Sequence, residues 1–191
     1  MDTELVLKNI SRHVDLTIEE SKFLDSLFLL QAIPTKRVIQ EAGKACPYFY
    51  FVNEGILRAF FVNPAGKETT IMFAVKDWWI TDMYAFAHQA PAILTIESLS
   101  SSEILLLHWE KMEALLAKFP KFERFFRIIF QRAYIREQLR TIQNLSLPAE
   151  ERYQNFISKY PYIEQLVAQK QIASYLGITP EFLSKIRKGR T

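Results

Sequence analysis

The stretch Gln169-Lys-Gln-Ile-Ala-Ser-Tyr-Leu-Gly-Ile-Thr-Pro-Glu-Phe-Leu-Ser-Lys-Ile-Arg-Lys-Gly-Arg190 decides how this chain is read. Ile172, Ala173 and Leu176 share one helical face and Gly177 interrupts it. Thr179 then offers an N-cap hydroxyl, with Pro180 at the first helical position and Glu181 in the first turn. Leu183 and Ile186 make a second apolar face. Two short helices joined by a tight turn need a small residue at their crossing, a turn residue tolerant of φ > 0, and apolar residues pinning the second helix. Ala173, Gly177, Ile178, Leu183 and Ile186 meet those needs, and the pattern predicts a helix-turn-helix.

An ordinary helical hairpin would have the same interior, so the argument for nucleic acid lies on the outer face. There Ser184, Lys185, Arg187, Lys188 and Arg190 surround the buried positions. Phosphates attract such cations whatever the base sequence, and residues near the start of the second helix reach base edges in the major groove. On that geometry Glu181 accepts from a cytosine N4 amine and Lys185 donates to guanine O6 and N7. Lys188 and Arg190 hold phosphates, unless the tail after Arg187 is only a solvated helix end. Thr179, Pro180, Glu181, Ser184, Lys185, Arg187, Lys188 and Arg190 form the candidate DNA-binding set.

Upstream, Ser146-Leu-Pro148 reads as a hinge before a helix over residues 150–159. Residues 121–145 read as one long helix without internal Gly or Pro. Phe125, Ile128, Ile135, Leu139, Ile142 and Leu145 fall close to a seven-residue repeat, interrupted at Gln131 and Arg132. Phe122, Phe126, Ile129 and Ala133 make a second stripe. Two stripes imply two packing partners: the upstream domain, and a second copy of the helix meeting the first stripe. That makes Phe125, Ile128, Ile135, Leu139 and Ile142 the candidate dimer positions, the alternative being that both stripes pack within one subunit.

Between residues 36 and 108 the grammar is that of strands. Tyr48–Val52, Ile56–Val62, Thr69–Phe73, Ala92–Ile96 and Glu103–Leu107 are β-branched or aromatic runs at short intervals. Three of the five glycines, Gly43, Gly55 and Gly66, punctuate this region, which suggests an antiparallel barrel or roll. Before it, Thr17-Ile-Glu-Glu20 looks like a capping box, with Phe23, Leu24, Leu27 and Phe28 at helical spacing behind it. After it, residues 109–119 read as a short helix stopped at Pro120.

The 191 residues carry a net charge of only +3, unevenly spread. Residues 1–117 hold ten Lys/Arg against fifteen Asp/Glu, residues 118–145 seven against two, and residues 146–191 seven against four. An acidic front and basic rear point to nucleic-acid or membrane contact confined to the rear. In residues 118–145, Arg124, Arg127, Arg132, Arg136 and Arg140 either solvate a helix face or lend long-range attraction to DNA. The lone Cys46 permits no disulfide and no four-cysteine cluster, which fits a reducing, cytoplasmic setting. The N-terminus lacks the basic and apolar regions of a signal peptide, and no segment approaches a membrane span.

An N-terminal β-roll, a long helix and a C-terminal helix-turn-helix, in that order, resemble the Crp/Fnr family of bacterial transcription regulators. Its most specific part is Ile172-Ala-Ser-Tyr-Leu-Gly-Ile-Thr-Pro-Glu-Phe-Leu-Ser-Lys-Ile-Arg187, similar to the family's DNA-binding block, and the turns at residues 36–43, Asn53-Glu-Gly55 and Pro64-Ala-Gly66-Lys67 are similar to those of its cyclic-nucleotide-binding domain. The resemblance implies an α+β fold: an antiparallel β-roll over residues 1–120, a dimerisation helix over 121–145, and a winged-helix-type helix-turn-helix over 146–191. It implies a homodimer on a palindromic site in double-stranded DNA, with RNA polymerase and an unidentified small-molecule effector as further partners. Base readers in the family map onto Pro180, Glu181 and Lys185, where catabolite-activator-type members place arginines at the first and third; the preferred DNA sequence therefore does not transfer.

Members that bind cyclic AMP enclose its phosphate with a Gly-Glu pair opening a short helix and an Arg-Ser or Arg-Thr pair, together with backbone N–H groups. Residues 77–95 here contain neither arginine nor glycine, and Asp77 and Asp82 would repel a phosphate, so control by cyclic AMP is not expected. Trp78, Trp79, Asp82, Tyr84 and Phe86 either line a pocket for another effector or, for the aromatics, simply fill the roll. A rival reading is a cupin-like, metal-dependent roll whose C-terminal helices are only an interaction module. His13, His88 and His108 are too scattered for its ligand set, so no metal, no cofactor and no enzyme is expected.

Overall fold

The computed structural model describes residues 2–189. The chain divides into two compact units, Met1–Ala59 with Phe73–Gln131, and Phe60–Met72 with Arg132–Thr191.

The first unit opens with helices α1 (Glu4–Ser11) and α2 (Ile18–Leu27). The capping box at the start of α2 forms in full: Thr17 Oγ1 accepts from the Glu20 amide at 3.2 Å, and the Glu20 carboxylate accepts from the Thr17 amide at 2.8 Å. Lys121 Nζ donates to the same carboxylate at 2.6 Å and holds its pKa below the usual range. The strands are β1 (Phe28–Ile33), β2 (Val38–Gln40), β3 (Tyr48–Glu54), β4 (Ile56–Val62), β5 (Glu68–Val75), β6 (Trp79–Ile80), β7 (Thr95–Ser98) and β8 (Ser102–His108). They form two four-stranded sheets, ordered β1-β8-β3-β6 and β2-β7-β4-β5. Helix α3 (Met83–His88) lies between β6 and β7, and α4 (Trp109–Lys118) leads into α5 (Phe122–Ser146).

Tertiary pairing accounts for where these elements depart from local pattern. Phe28 begins β1, not the end of α2, because residues 28–33 pair antiparallel with β8 from Phe28↔Leu107 to Ile33↔Ser102. Residues 92–94 stay outside β7, since Asp82 takes the Ile93 and Leu94 amides. Helix α1 and the two-residue β6 carry too few periodic residues to be read from sequence.

The core of this unit is aromatic. Phe49, Phe51, Phe86, Phe122 and Phe125 are each at most 4% exposed, and Trp79 packs against Phe28, Phe49, Phe51 and Phe125 at centroid distances of 4.9–6.2 Å. The first turns of α5 thus belong to the roll. Phe125, expected at a dimer surface, is fully buried against its own subunit and is corrected to a core residue. It shares that role with Phe122 and Phe126 of the second stripe, because residues three and four apart lie on one helical side. Ile128 is half-buried, whereas Ile135, Leu139 and Ile142 are 44–54% exposed.

The second unit contains the tip of the β4–β5 hairpin, the rest of α5, and helices α6 (Ala149–Lys159), α7 (Ile163–Leu166), α8 (Gln169–Leu176) and α9 (Pro180–Lys188). Among the described residues from 149 onward every regular element is a helix, with no strand pair to form a wing. Edge strand β5 is covered locally: the Thr70 amide donates to Ser174 Oγ at 2.9 Å, and that hydroxyl donates to the Glu68 carbonyl at 3.0 Å. Unpaired edge groups invite pairing with other chains, and one serine on α8 satisfies two of them.

Gly55 is the turn between β3 and β4 that no other residue can make. Its φ is +92°, and a Cβ there would collide with Ser102 Oγ and lie 2.7 Å from the Ser101 carbonyl. Gly55→Ala should destabilise the chain by about 2 kcal/mol or more, the sum of left-handed strain and displacement of the Ser101 carbonyl and Ser102 side chain, read as a lowered urea midpoint with unchanged slope. Gly43→Ala, also at positive φ but with open space around its Cβ, should cost about 1–2 kcal/mol by strain alone.

Candidate nucleic-acid interface

The local physics of α8 and α9 follows the sequence closely. Helix α8 ends because Gly177 adopts φ +68°, and the Ile178 amide closes the turn onto the Ala173 carbonyl at 3.0 Å. Thr179 Oγ1 caps α9 by accepting from the Phe182 amide at 3.2 Å. Gln169 Nε2 ties the two helices together, donating to the Pro180 carbonyl at 2.9 Å. Ile172, Ala173, Leu176, Leu183 and Ile186 are buried between them. Loss of such a cap costs about 1 kcal/mol, so the start of α9 is specified by side-chain chemistry and not by packing alone.

Burial of Leu183 and Ile186 leaves Glu181, Lys185 and Lys188 exposed, spaced four and three residues apart along one side of α9. Thr179 and Pro180 lie exposed at its start, and Ser184 is partly buried. Arg187 is engaged differently from its neighbours: its Nε donates to Glu164 at 3.1 Å, so its guanidinium ties α9 to α7. Arg190 lies outside the described residues. Phe182 is 40% exposed beside Glu181, and its one signal in the sequence is its place outside the Leu183–Ile186 face.

Behind this motif Phe156, Tyr160 and Tyr175 form a ring cluster, with centroids 5.1–6.4 Å apart. Burial pushes the Tyr160 phenol far above its usual range, so it stays protonated at any ordinary pH. Arg140 lays its guanidinium 4.9 Å over the Tyr175 ring and also donates to the Ile71 carbonyl.

In the roll, the five candidate effector residues have separate placements. Trp79 and Phe86 are built into the aromatic core, and Trp78 is partly buried. Tyr84 is 55% exposed and packs 4.7 Å from the His88 ring. Asp82 is 1% exposed and caps α3: its carboxylate accepts from the amides of Ala85 at 3.3 Å, Ile93 at 2.7 Å and Leu94 at 2.8 Å. Cys46 is buried nearby, and desolvation pushes its thiol pKa up, away from reactive thiolate. Among the described residues no group of three or more His, Cys, Asp or Glu is placed to hold a metal ion, and no helix is long and apolar enough to cross a membrane.

Residues 30–119 match the cyclic nucleotide-binding domain family. No curated protein sequence is similar to the chain. Among solved structures, FixK2 from Bradyrhizobium japonicum superposes with a TM-score of 0.75 at 15% identity, covering 85% of this chain and 83% of that one. The c-di-GMP-responsive global regulator CLP of Xanthomonas campestris gives 0.70 at 12% identity, covering 88% and 89%. The catabolite activator protein of Thermus thermophilus gives 0.60 at 19% identity, covering 95% and 85%. Residues 30–119 thus resemble a cyclic nucleotide-binding domain, and along most of its length the chain has the Crp-like fold of these solved structures.

Proposed function

We propose that this chain is a DNA-binding transcription regulator that acts as a homodimer on a palindromic site and is not controlled by cyclic AMP. The observation that carries the reading is α9 itself. It is a Thr179-capped helix pinned by Leu183 and Ile186, with Glu181, Lys185 and Lys188 exposed together. Such a helix enters the major groove with its first turns toward base edges, where Glu181 pairs with a cytosine amine and Lys185 with guanine. Lys188, in the last turn, meets phosphate. Arg187 is assigned to holding α9 against α7 instead of to DNA, because Glu164 already engages it.

Dimerisation is assigned to the second half of α5, where Ile135, Leu139 and Ile142 are exposed at spacings of four and three residues. Covering the half of each side chain that is still exposed is worth roughly 1 kcal/mol, about half the value for full burial, which gives a helix pair a driving force no solvated face supplies. Two copies of α9 then meet half-sites about 34 Å apart. In this scheme residues 1–120 sense, 121–145 join the two copies, and 146–191 bind DNA.

Independence from cyclic AMP rests on Asp82. Its buried carboxylate already occupies backbone amides at the start of α3 and in the loop before β7. Those are the donor types that a phosphate would need, and a second anion beside a buried carboxylate is repelled.

Lys185→Ala should weaken binding to a selected site by about 1–3 kcal/mol while leaving random-sequence DNA nearly unaffected, read by titration of both duplexes at fixed salt. An equal loss on both duplexes would reduce Lys185 to a phosphate contact. Light scattering at micromolar concentration should give a dimer mass for the native chain and a monomer mass for Ile142→Glu; a native monomer removes the dimer assignment. Cyclic AMP should leave the affinity for the selected duplex unchanged, and any rise of tenfold or so, about 1.4 kcal/mol, overturns the role given to Asp82.

A further inference from the structure

We propose that a cleft in the second unit, walled by α5, α6 and the end of α8, is a binding site for a small anion carrying clustered phosphate groups. The cleft measures about 350 Å³, within the range of small-molecule sites. Arg132, Arg136 and Arg140 of α5 and Arg152 and Lys159 of α6 line it, and no carboxylate does.

The arginines come from one face of α5. Positions 132, 136 and 140 follow Phe125 by seven, eleven and fifteen residues, so they continue the helical side that Phe122 and Phe125 bury upstream. That side changes from rings to guanidinium groups where the cleft begins. Two of these arginines also contact the β4–β5 hairpin, Arg136 Nη2 reaching Met72 Sδ at 3.4 Å and Arg140 Nη1 donating to the Ile71 carbonyl. Concentrated like charge is unfavourable until an anion neutralises it, and planar guanidinium groups match phosphate oxygens in pairs.

Glu137 sits outside the lining and pairs with two of the cations, reaching Arg136 Nε at 3.5 Å and Arg140 Nε at 3.1 Å. Arg140 is fixed further by the Tyr175 ring and the Ile71 carbonyl. Arg152 donates through Nη1 to the Asn144 carbonyl at 3.1 Å, while its Nε is buried with no hydrogen-bond partner among the described residues. A buried donor left over in this way costs free energy that a ligand oxygen would recover.

Lys159 shows the same strain electrostatically. Loss of hydration, with Arg136 and Arg140 adding to it against the opposing pull of Glu137, lowers its pKa to about 8. Tyr160, also on the cleft wall, stays a neutral phenol because burial raises its pKa. A bound anion would restore the proton to Lys159, so affinity should fall as pH rises through about 8. No residue of α9 and no residue of the Asp82 loop lines the cleft, whereas Ile135 and Leu139 of the proposed dimer face form part of its rim.

The test is calorimetry on the full chain without magnesium, with three probes: ATP, inorganic pyrophosphate and adenosine. ATP or pyrophosphate should bind and adenosine should not; tighter binding of ATP than pyrophosphate identifies a nucleotide, and equal binding a free phosphate compound. Lys159→Gln should weaken binding about tenfold or more with unchanged thermal unfolding, and Lys159→Arg should keep it while abolishing the fall in affinity between pH 7 and 9. Absence of binding by both phosphate probes, equal binding of adenosine, or indifference to Lys159→Gln overturns the proposal. So does a loss of duplex DNA affinity in Lys159→Gln without small-phosphate binding, which would hand the cluster to the DNA backbone. Failure of the chain to bind DNA at all would leave this assignment standing.

Discussion

Burial of Phe122, Phe125 and Phe126 in the aromatic core is the constraint on which the rest of α5 depends. Three rings on neighbouring turns, packed with Phe49, Trp79 and Phe130, fix which side of the helix faces the roll. A helix advances about 100° per residue, so fixing one stretch also fixes which side of the helix each later residue occupies. Ile135, Leu139 and Ile142 fall to one side of the buried line, and Arg132, Arg136 and Arg140 continue it. The helix therefore presents an apolar and a cationic side in its second half, adjoining one another along the cleft, as a consequence of how its first half is anchored.

A second constraint operates around Asp82. A buried carboxylate is tolerated only when hydrogen-bond donors surround it, and three backbone amides do so here. The same bonds keep residues 93 and 94 out of β7 and bring the loop to the start of α3. Within the stretch that resembles a cyclic nucleotide-binding domain, this places the chain's own anion among donors of the kind that bind an external one.

The basic rear of the chain separates into parts with distinct work. Lys185 and Lys188 are exposed on α9, Arg187 is held by Glu164, and three arginines of α5 join Arg152 and Lys159 around one cleft. A net-charge difference along the sequence pointed toward an anionic partner. It carried no information on which cations share a surface.

The sequence by itself determined the short-range features. These are the Thr17–Glu20 box, the Gly177 turn, the Thr179 cap and the Leu183–Ile186 face, all set by contacts within five residues of one another. It also determined the strand-rich character of residues 36–108 and the long uninterrupted helix. Only the tertiary structure decided that residues 28–33 form a strand, since their partner β8 lies about seventy residues away. It likewise placed Phe125 in the core and Arg187 on Glu164. A heptad pattern says that a side is apolar, but whether another element of the same chain covers it depends on packing at long range. The cationic cleft was illegible for the same reason: its five charges lie on two helices, and only folding brings them together.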